Sequence, residues 1–334
     1  MKECWDDPGI HMMVGFQGLD FEEELHSLVK EFRVGGIVLF RRNIESPEQL
    51  RQLLSDARRK SVEIMGRPLW VAIDQEGGPV QRLPLPFTQL PPARAQSMGG
   101  PPEVEKWQLI AAKELRETGI HINFAPVLDM VPPGKNGFME ERSLGSDPQR
   151  VGDLGTAWIR TLQKNGVSAT AKHFPGLGSA REDPHHDAPV IFWKDREAME
   201  RDLLPFAMAV RAGVHCMMTS HARYPMLDPV CPATLSQAVN RMLLRERLGF
   251  GGILFSDDMD MAAVANRYTW GEMVEKGLAG GIDFFLLCQH SRNIEPFHGA
   301  LRKAIASGSG FRRLHLASVQ RILELQTIHS PSSP

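Results

Sequence analysis

Disulfide chemistry has little to work with in this chain. Its 334 residues include four cysteines, Cys4, Cys216, Cys231 and Cys288, widely scattered and without a C-x-x-C pair. This excludes a small disulfide-stapled domain and favours free thiols in a reducing compartment, so a cytoplasmic location is expected. Long apolar runs are also missing. None approaches the roughly 18 residues that cross a bilayer, which argues against a membrane-embedded protein. The N-terminal stretch MKECWDDPGIHMMVGF is acidic early and has no continuous apolar core, so it makes a poor signal peptide. Neither sign of charge dominates, since 38 Lys and Arg stand against 40 Asp and Glu, for a net charge of −2. No basic stripe suits nucleic acid, and no polybasic run suits a membrane surface. The first apolar run is followed by GFQGLD, which is not a Gly-rich dinucleotide fingerprint.

The chain does carry an alternation of two patterns. Short apolar runs occur at 11–16, 35–40, 68–74, 122–129, 167–174, 214–221, 251–258 and 282–288. Most are continuously apolar rather than strictly alternating, which suits strands of a parallel sheet buried on both faces. Between them lie segments with helical spacing, including 46–62, 102–119, 147–166 and 195–213. Ser46 and Asp147 read as N-caps with proline at the next position, and Gly119, Gly166 and Gly213 read as C-terminal stops. Eight strands alternating with helices predict an α/β protein, a single-domain (β/α)₈ barrel over 1–330, with a disordered tail at 331–334. The proline-rich segment 75–101 is expected to be an ordered βα loop over the site rather than a linker.

In such a barrel, functional groups stand at the C-terminal ends of strands. Asp74, Asp129, Lys172 with His173, His221, and Asp257 with Asp258 all fall there. A single strand-end aspartate more often caps the following helix; five strand ends converging on one axis are harder to explain that way. In FSDDMD (255–260), side-chain alternation lets only one of Asp257 and Asp258 face the mouth, leaving the other to cap the next helix or hold its neighbour. The stretch KHFPGLGSAREDPHHDAP (172–189) adds Asp183 and His185 across Pro184. At that spacing a carboxylate can bond an imidazole and raise its basicity, which suits general acid/base work. His173, Asp183, His185, His186 and Asp187 would also supply enough ligands for a metal, but in no compact pattern such as HExxH, and with Lys172 opposing a cation. On residue type and spacing alone, a catalytic loop, a metal site and a solvated polar loop all remain open.

The motifs KHFPGLG followed by DPH, IDQEGG, FAPVLDM, ERSLGSDP and FSDDMDM occur in order across roughly 11–290. Together they resemble glycoside hydrolase family 3, and within it the single-domain, NagZ-type β-N-acetylglucosaminidases. The resemblance implies a barrel that removes terminal GlcNAc from peptidoglycan-derived muropeptides or chitooligosaccharides with retention of configuration, and without a cofactor or metal. It assigns Asp257 as nucleophile, His185 partnered by Asp183 as general acid/base, and Asp74, Arg142, Lys172 and His173 as sugar-binding residues. A phosphorylase or β-glucosidase on the same fold, or a sugar-binding barrel without turnover, are the alternatives. Three positions depart from the family pattern: Leu177 where His is common, Pro79 where Arg is usual, and Leu144 where Phe is frequent.

Overall fold

A computed structural model describes residues 7–132, 134, 137–178, 189–289 and 291–329. The 331–334 tail expected from the sequence lies outside them. Eight parallel strands close into a barrel: β1 (Met12–Val14), β2 (Gly36–Leu39), β3 (Trp70–Ile73), β4 (Ile122–Asn123), β5 (Ser168–Phe174), β6 (Cys216–Thr219), β7 (Ile253–Asp258) and β8 (Phe284–Leu287). Each neighbours the next in sequence, and β8 pairs with β1 to complete the circle. All eight apolar runs therefore became strands. β4 is far shorter than the 122–129 expected, because Pro126 lacks the N–H that a ladder needs. Its carbonyl still accepts from Lys172 N, and Val127 bridges to Lys172 beyond it.

The strands read as continuously apolar because they separate two cores. Met13, Trp70, Ala72, Ile253, Phe255, Phe284 and Leu286 fill the barrel interior. Their sequence neighbours Met12, Val14, Val71, Ile73, Leu254, Phe285 and Leu287 pack outward against the helices. The period-2 alternation is present, but both of its phases are apolar, and this is why it is invisible in the sequence.

The outer helices include α1 (Glu23–Glu31), α2 (Pro47–Met65), α3 (Gly100–Thr118), α4 (Pro148–Lys164), α5 (Arg196–Arg211), α6 (Ala238–Arg247, π-type), α7 (Trp270–Gly280) and α8 (Ile294–Ala306). Ser46 caps α2 by accepting from Gln49 N at 3.1 Å, and Asp147 caps α4 by accepting from Arg150 N at 2.8 Å. The 75–101 segment is ordered, as expected. It forms a hairpin, Gln75–Gly77 with Val80–Gln81, and a short helix, Ala93–Met98. Gln75 Oε1 accepts from Arg82 N and Leu83 N, and Asn123 brackets the Gln75 backbone with two bonds. Among the described residues, no helix is long and apolar enough to cross a membrane.

A last helix, α9 (Ser309–His329), sends Val319, Ile322 and Leu325 into the barrel interior from the end opposite the strand C-termini. Ser318 and Arg321 on α9, together with Arg245, bind the fully buried Asp283 carboxylate at 2.6–2.9 Å. His11 Nδ1 faces the Asp283 carbonyl at 2.9 Å, so it carries a proton, and Nε2 meets His315 Nδ1 at 2.8 Å as acceptor. Burial, aided by His315, lowers the His11 pKa to about 4. Unfolding restores an ordinary imidazole near 6.5, so the unfolded chain binds the extra proton between those values. Stability from this site is complete above about pH 6.5 and falls away down to pH 4, by about 3 kcal/mol. Urea midpoints measured from pH 7 to 4 should fall, and His11→Gln should flatten that slope. An unchanged slope in His11→Gln would place the acid sensitivity elsewhere.

Candidate active site

The strand C-termini bring the ionisable residues into one constellation, and two irregularities in the ladder aim them. Pairing of β5 with β6 shifts between Ala171 and Phe174. Ala171 and Phe174 both belong to the outer core, and the two residues between them, Lys172 and His173, both keep their side chains at the site. A bulge of this kind re-aims side chains that simple alternation would separate. The Lys172–His173 peptide is cis. Pairing of β7 with β8 shifts in the same way between Phe255 and Asp258, where the two adjacent carboxylates lie.

Lys172 is the hub of the polar cluster. Its Nζ lies 2.8 Å from Asp74 Oδ1 and 2.7 Å from Glu76 Oε1. Glu76 also receives a two-pronged contact from Arg142, with Nε to Oε2 at 2.8 Å and Nη2 to Oε1 at 2.9 Å. Arg82 Nη2 approaches Asp74 Oδ2 at 3.6 Å. Burial would raise the pKa of Glu76, but Lys172 and Arg142 overcome it and hold the carboxyl at about 2. Burial likewise opposes the charge on Lys172, and Asp74 and Glu76 overcome it, so its pKa is raised. For Arg142 the Glu76 carboxylate outweighs burial in the same direction. Glu76, Lys172 and Arg142 are therefore ionised at neutral pH, and the cluster alternates donors with acceptors, the pattern that adjacent hydroxyls match.

His173 is fixed by Asp129. Asp129 Oδ2 lies 2.6 Å from His173 Nδ1 and accepts from His173 N at 3.2 Å, while Oδ1 accepts from Leu177 N at 2.6 Å. Nδ1 therefore carries the proton, and Nε2 is the outward nitrogen. Leu177 is buried in the outer core. Its side chain serves packing, and its backbone serves Asp129. Pro79 sits exposed in the hairpin turn, and Leu144 is buried.

The two carboxylates of β7 have opposite electrostatics. Burial pushes the Asp257 pKa up, but His221, His173, the Asp258 N–H and Lys172 outweigh it, and the group stays ionised below the usual carboxylate range. Its Oδ1 accepts from Asp258 N at 2.8 Å. Asp258 is pushed up to about 7 by burial and by Asp260. Its carboxyl accepts from Asp260 N and Cys288 N, so it braces the end of β8 rather than capping a helix. His221 donates from Nε2 to the Asp258 carbonyl at 2.9 Å and pairs with Thr234 Oγ1 through Nδ1 at 2.8 Å. Burial lowers its pKa against the pull of Asp257.

The site thus unites Asp74, Arg142, Lys172, His173 and Asp257. Asp183 and His185 lie outside the described residues. Glu76 and Arg82 escaped notice in the sequence, where both read as loop residues in a Gly- and Pro-rich segment. The i, i+2 spacing of Glu76 from the strand-end Asp74 was the available signal, because such residues share a side of an extended chain.

The model of the Glycosyl hydrolase family 3 N terminal domain matches residues 9–325. The β-hexosaminidase of Alkalilimnicola ehrlichii is 36% identical over 296 residues, covering 84% of this chain and 80% of that protein. A Pseudomonas aeruginosa β-hexosaminidase is 34% identical over 294 residues, covering 87% and 86%. Among solved structures, a glycoside hydrolase family 3 β-N-acetylglucosaminidase from Paenibacillus superposes with a TM-score of 0.92 at 34% identity. That match covers 98% of this chain but only 64% of the longer Paenibacillus chain. The β-N-acetylhexosaminidase of Beutenbergia cavernae superposes with a TM-score of 0.86 at 27% identity, covering 97% and 98%.

Proposed function

Because the chain belongs to glycosyl hydrolase family 3 and is a glycoside hydrolase, we propose that it is a retaining exo-β-N-acetylglucosaminidase. It removes a non-reducing terminal GlcNAc from peptidoglycan-derived muropeptides or chitooligosaccharides in the cytoplasm. The names of its relatives, β-hexosaminidase and β-N-acetylglucosaminidase, support the substrate class. The free, buried thiols Cys216, Cys231 and Cys288 support the compartment. The observation that carries the chemistry is the placement of Asp257 at the end of β7, where its Oδ1 accepts from Asp258 N among His221, His173 and Lys172.

In the first step an Asp257 oxygen attacks the anomeric carbon as the glycosidic C–O bond breaks. The departing oxygen takes a proton from the His185 imidazolium, and a glycosyl ester forms. In the second step neutral His185, oriented by Asp183, removes a proton from water. That water attacks the anomeric carbon, the ester breaks, and GlcNAc leaves with retained configuration. Asp74, Arg142, Lys172 and His173 hold the ring hydroxyls, and their mutual ion pairs and hydrogen bonds keep them in place before substrate arrives.

The test is one assay series: aryl β-GlcNAc against aryl β-glucoside, with and without phosphate, on wild type and His185→Ala. Hydrolysis of the GlcNAc substrate is expected, together with a loss of about 10²-fold or more in His185→Ala on a substrate with a poor leaving group. GlcNAc-1-phosphate as product would convert the assignment to a phosphorylase, since a neutral histidine does not repel phosphate. Preference for the glucoside would overturn the substrate, and binding without turnover would leave a sugar-binding barrel.

A further inference from the structure

The proposed nucleophile sits where the barrel ladder is interrupted toward both neighbouring strands. Pairing of β6 with β7 runs from Cys216–Ile253 to Met218–Phe255 and includes neither Asp257 nor Asp258. Pairing of β7 with β8 takes Phe255 with Phe284 and then Asp258 with Leu286. Three steps on β7 therefore meet two on β8, and Asp257 falls between the registered pairs. A strand released from its register can re-aim a side chain, but the new direction then needs other bonds to fix it.

Side chains supply those bonds. On the β8 side, Leu286 N donates to Ser256 Oγ at 3.0 Å, and Met259 N donates to the Leu286 carbonyl at 2.8 Å. On the β6 side, His221 and Asp258 continue the register that joins Met218 to Phe255. There the His221 ring takes the place of a ladder bond, with Nε2 donating to the Asp258 carbonyl at 2.9 Å. The ring is set from behind by Thr234, whose Oγ1 lies 2.8 Å from His221 Nδ1 and 2.8 Å from the Ser220 carbonyl. Thr234 N also donates to Ser220 O at 3.0 Å. Asn240 on α6 donates from Nδ2 to the Ala233 and Thr234 carbonyls at 2.8 and 3.1 Å. His221, Thr234, Ser220 and Asn240 are each at most 2% exposed, so water does not compete for these bonds. Asp258, held at its carbonyl by His221, gives its N–H to Asp257 Oδ1 at 2.8 Å.

We infer that His221 is a positioning residue for the nucleophile: it fixes the backbone of Asp258 and, through it, the direction in which the Asp257 carboxylate faces the anomeric carbon. The inference rests on the proposed nucleophilic role of Asp257. Both ring nitrogens of His221 are engaged by the protein, so neither is left to bind the sugar. The task needs a donor at the Nε2 position and no charge.

The test separates aim from charge and from general damage. Wild type, His221→Gln, His221→Leu and Thr234→Val are incubated with 5-fluoro-β-N-acetylglucosaminyl fluoride, whose fluoride departs without an acid and leaves a slowly hydrolysed glycosyl ester. The trapping rate is read by intact mass, the labelled residue by peptide mapping, and ground-state binding by competitive inhibition with GlcNAc. His221→Leu is expected to trap at least about tenfold more slowly, toward the roughly 10²-fold that a 1 Å misplacement costs, while its inhibition constant for GlcNAc stays within about twofold of wild type. The Gln amide reaches the Nε2 position with a donor and should restore trapping to within about threefold of wild type. Thr234→Val removes the support behind the ring, should shift in the direction of His221→Leu, and serves if His221→Leu does not fold. Wild-type trapping in His221→Leu or Thr234→Val, a Gln variant as slow as Leu, or trapping and GlcNAc binding falling together would overturn the inference and leave Asp257 as nucleophile. A label on a residue other than Asp257 in the wild type would overturn the proposed nucleophile and the inference with it.

Discussion

Asp257→Asn is expected to lower kcat/KM for aryl β-GlcNAc by about 10⁴-fold or more, the scale seen when a catalytic nucleophile is removed. The amide has nearly the same shape as the carboxylate. Its oxygen can still accept from Asp258 N, which lies 2.8 Å from Asp257 Oδ1, so the end of β7 keeps its local bond. What disappears is the negative charge that His221, His173 and Lys172 surround, and with it the ability to form a glycosyl ester. A thermal midpoint close to wild type together with collapsed turnover is the anticipated pair of observations. Wild-type turnover in Asp257→Asn would end the proposed mechanism, and Asp258, whose pKa is pushed up to about 7, would be the next carboxyl to replace.

The largest expected effect on stability comes from Glu76. Glu76→Ala removes the carboxylate that Arg142 and Lys172 share and leaves both cations short of compensation in a water-poor site. Breaking a buried ion pair from one side costs about 3–5 kcal/mol, which corresponds to a fall of about 5–10 °C in Tm. Lys172 retains Asp74 at 2.8 Å, so the damage should concentrate on Arg142. Glu76→Gln keeps the shape and an acceptor oxygen. It should therefore recover much of the stability while still raising KM by one to two orders of magnitude, because Arg142 loses its two-pronged fit. Differential scanning fluorimetry and steady-state kinetics on the two variants separate these effects. A Glu76→Ala protein with unaltered Tm and KM would show that the clamp is idle.

The legibility of this protein varied with the range of the interactions involved. Caps such as Ser46 and Asp147 were readable because they satisfy N–H groups only three residues away. All eight strands were readable because burial on both faces leaves an apolar run with a polar residue at its end. Asp74, Lys172, His173 and Asp257 were readable for the same reason: the C-terminal end of a barrel strand is where such residues can be held without filling the core. The motif order across the chain added what residue type alone left open, namely a glycoside hydrolase.

Glu76 was not readable, because nothing nearby in sequence tells a buried clamp from a solvated loop acid; its partners lie 66 and 96 residues away. Nor could alternation show that Lys172 and His173 would both face the site, since the register shift between Ala171 and Phe174 arises in pairing with β6. The opposite electrostatics of Asp257 and Asp258, identical side chains in adjacent positions, depend on whether histidines or another aspartate pack beside them. The sequence by itself determined the barrel, its strand-end polar residues and the family. Only the tertiary structure decided which carboxylate is surrounded by basic side chains and which cation is clamped, because those outcomes depend on partners that folding alone brings within a few ångströms.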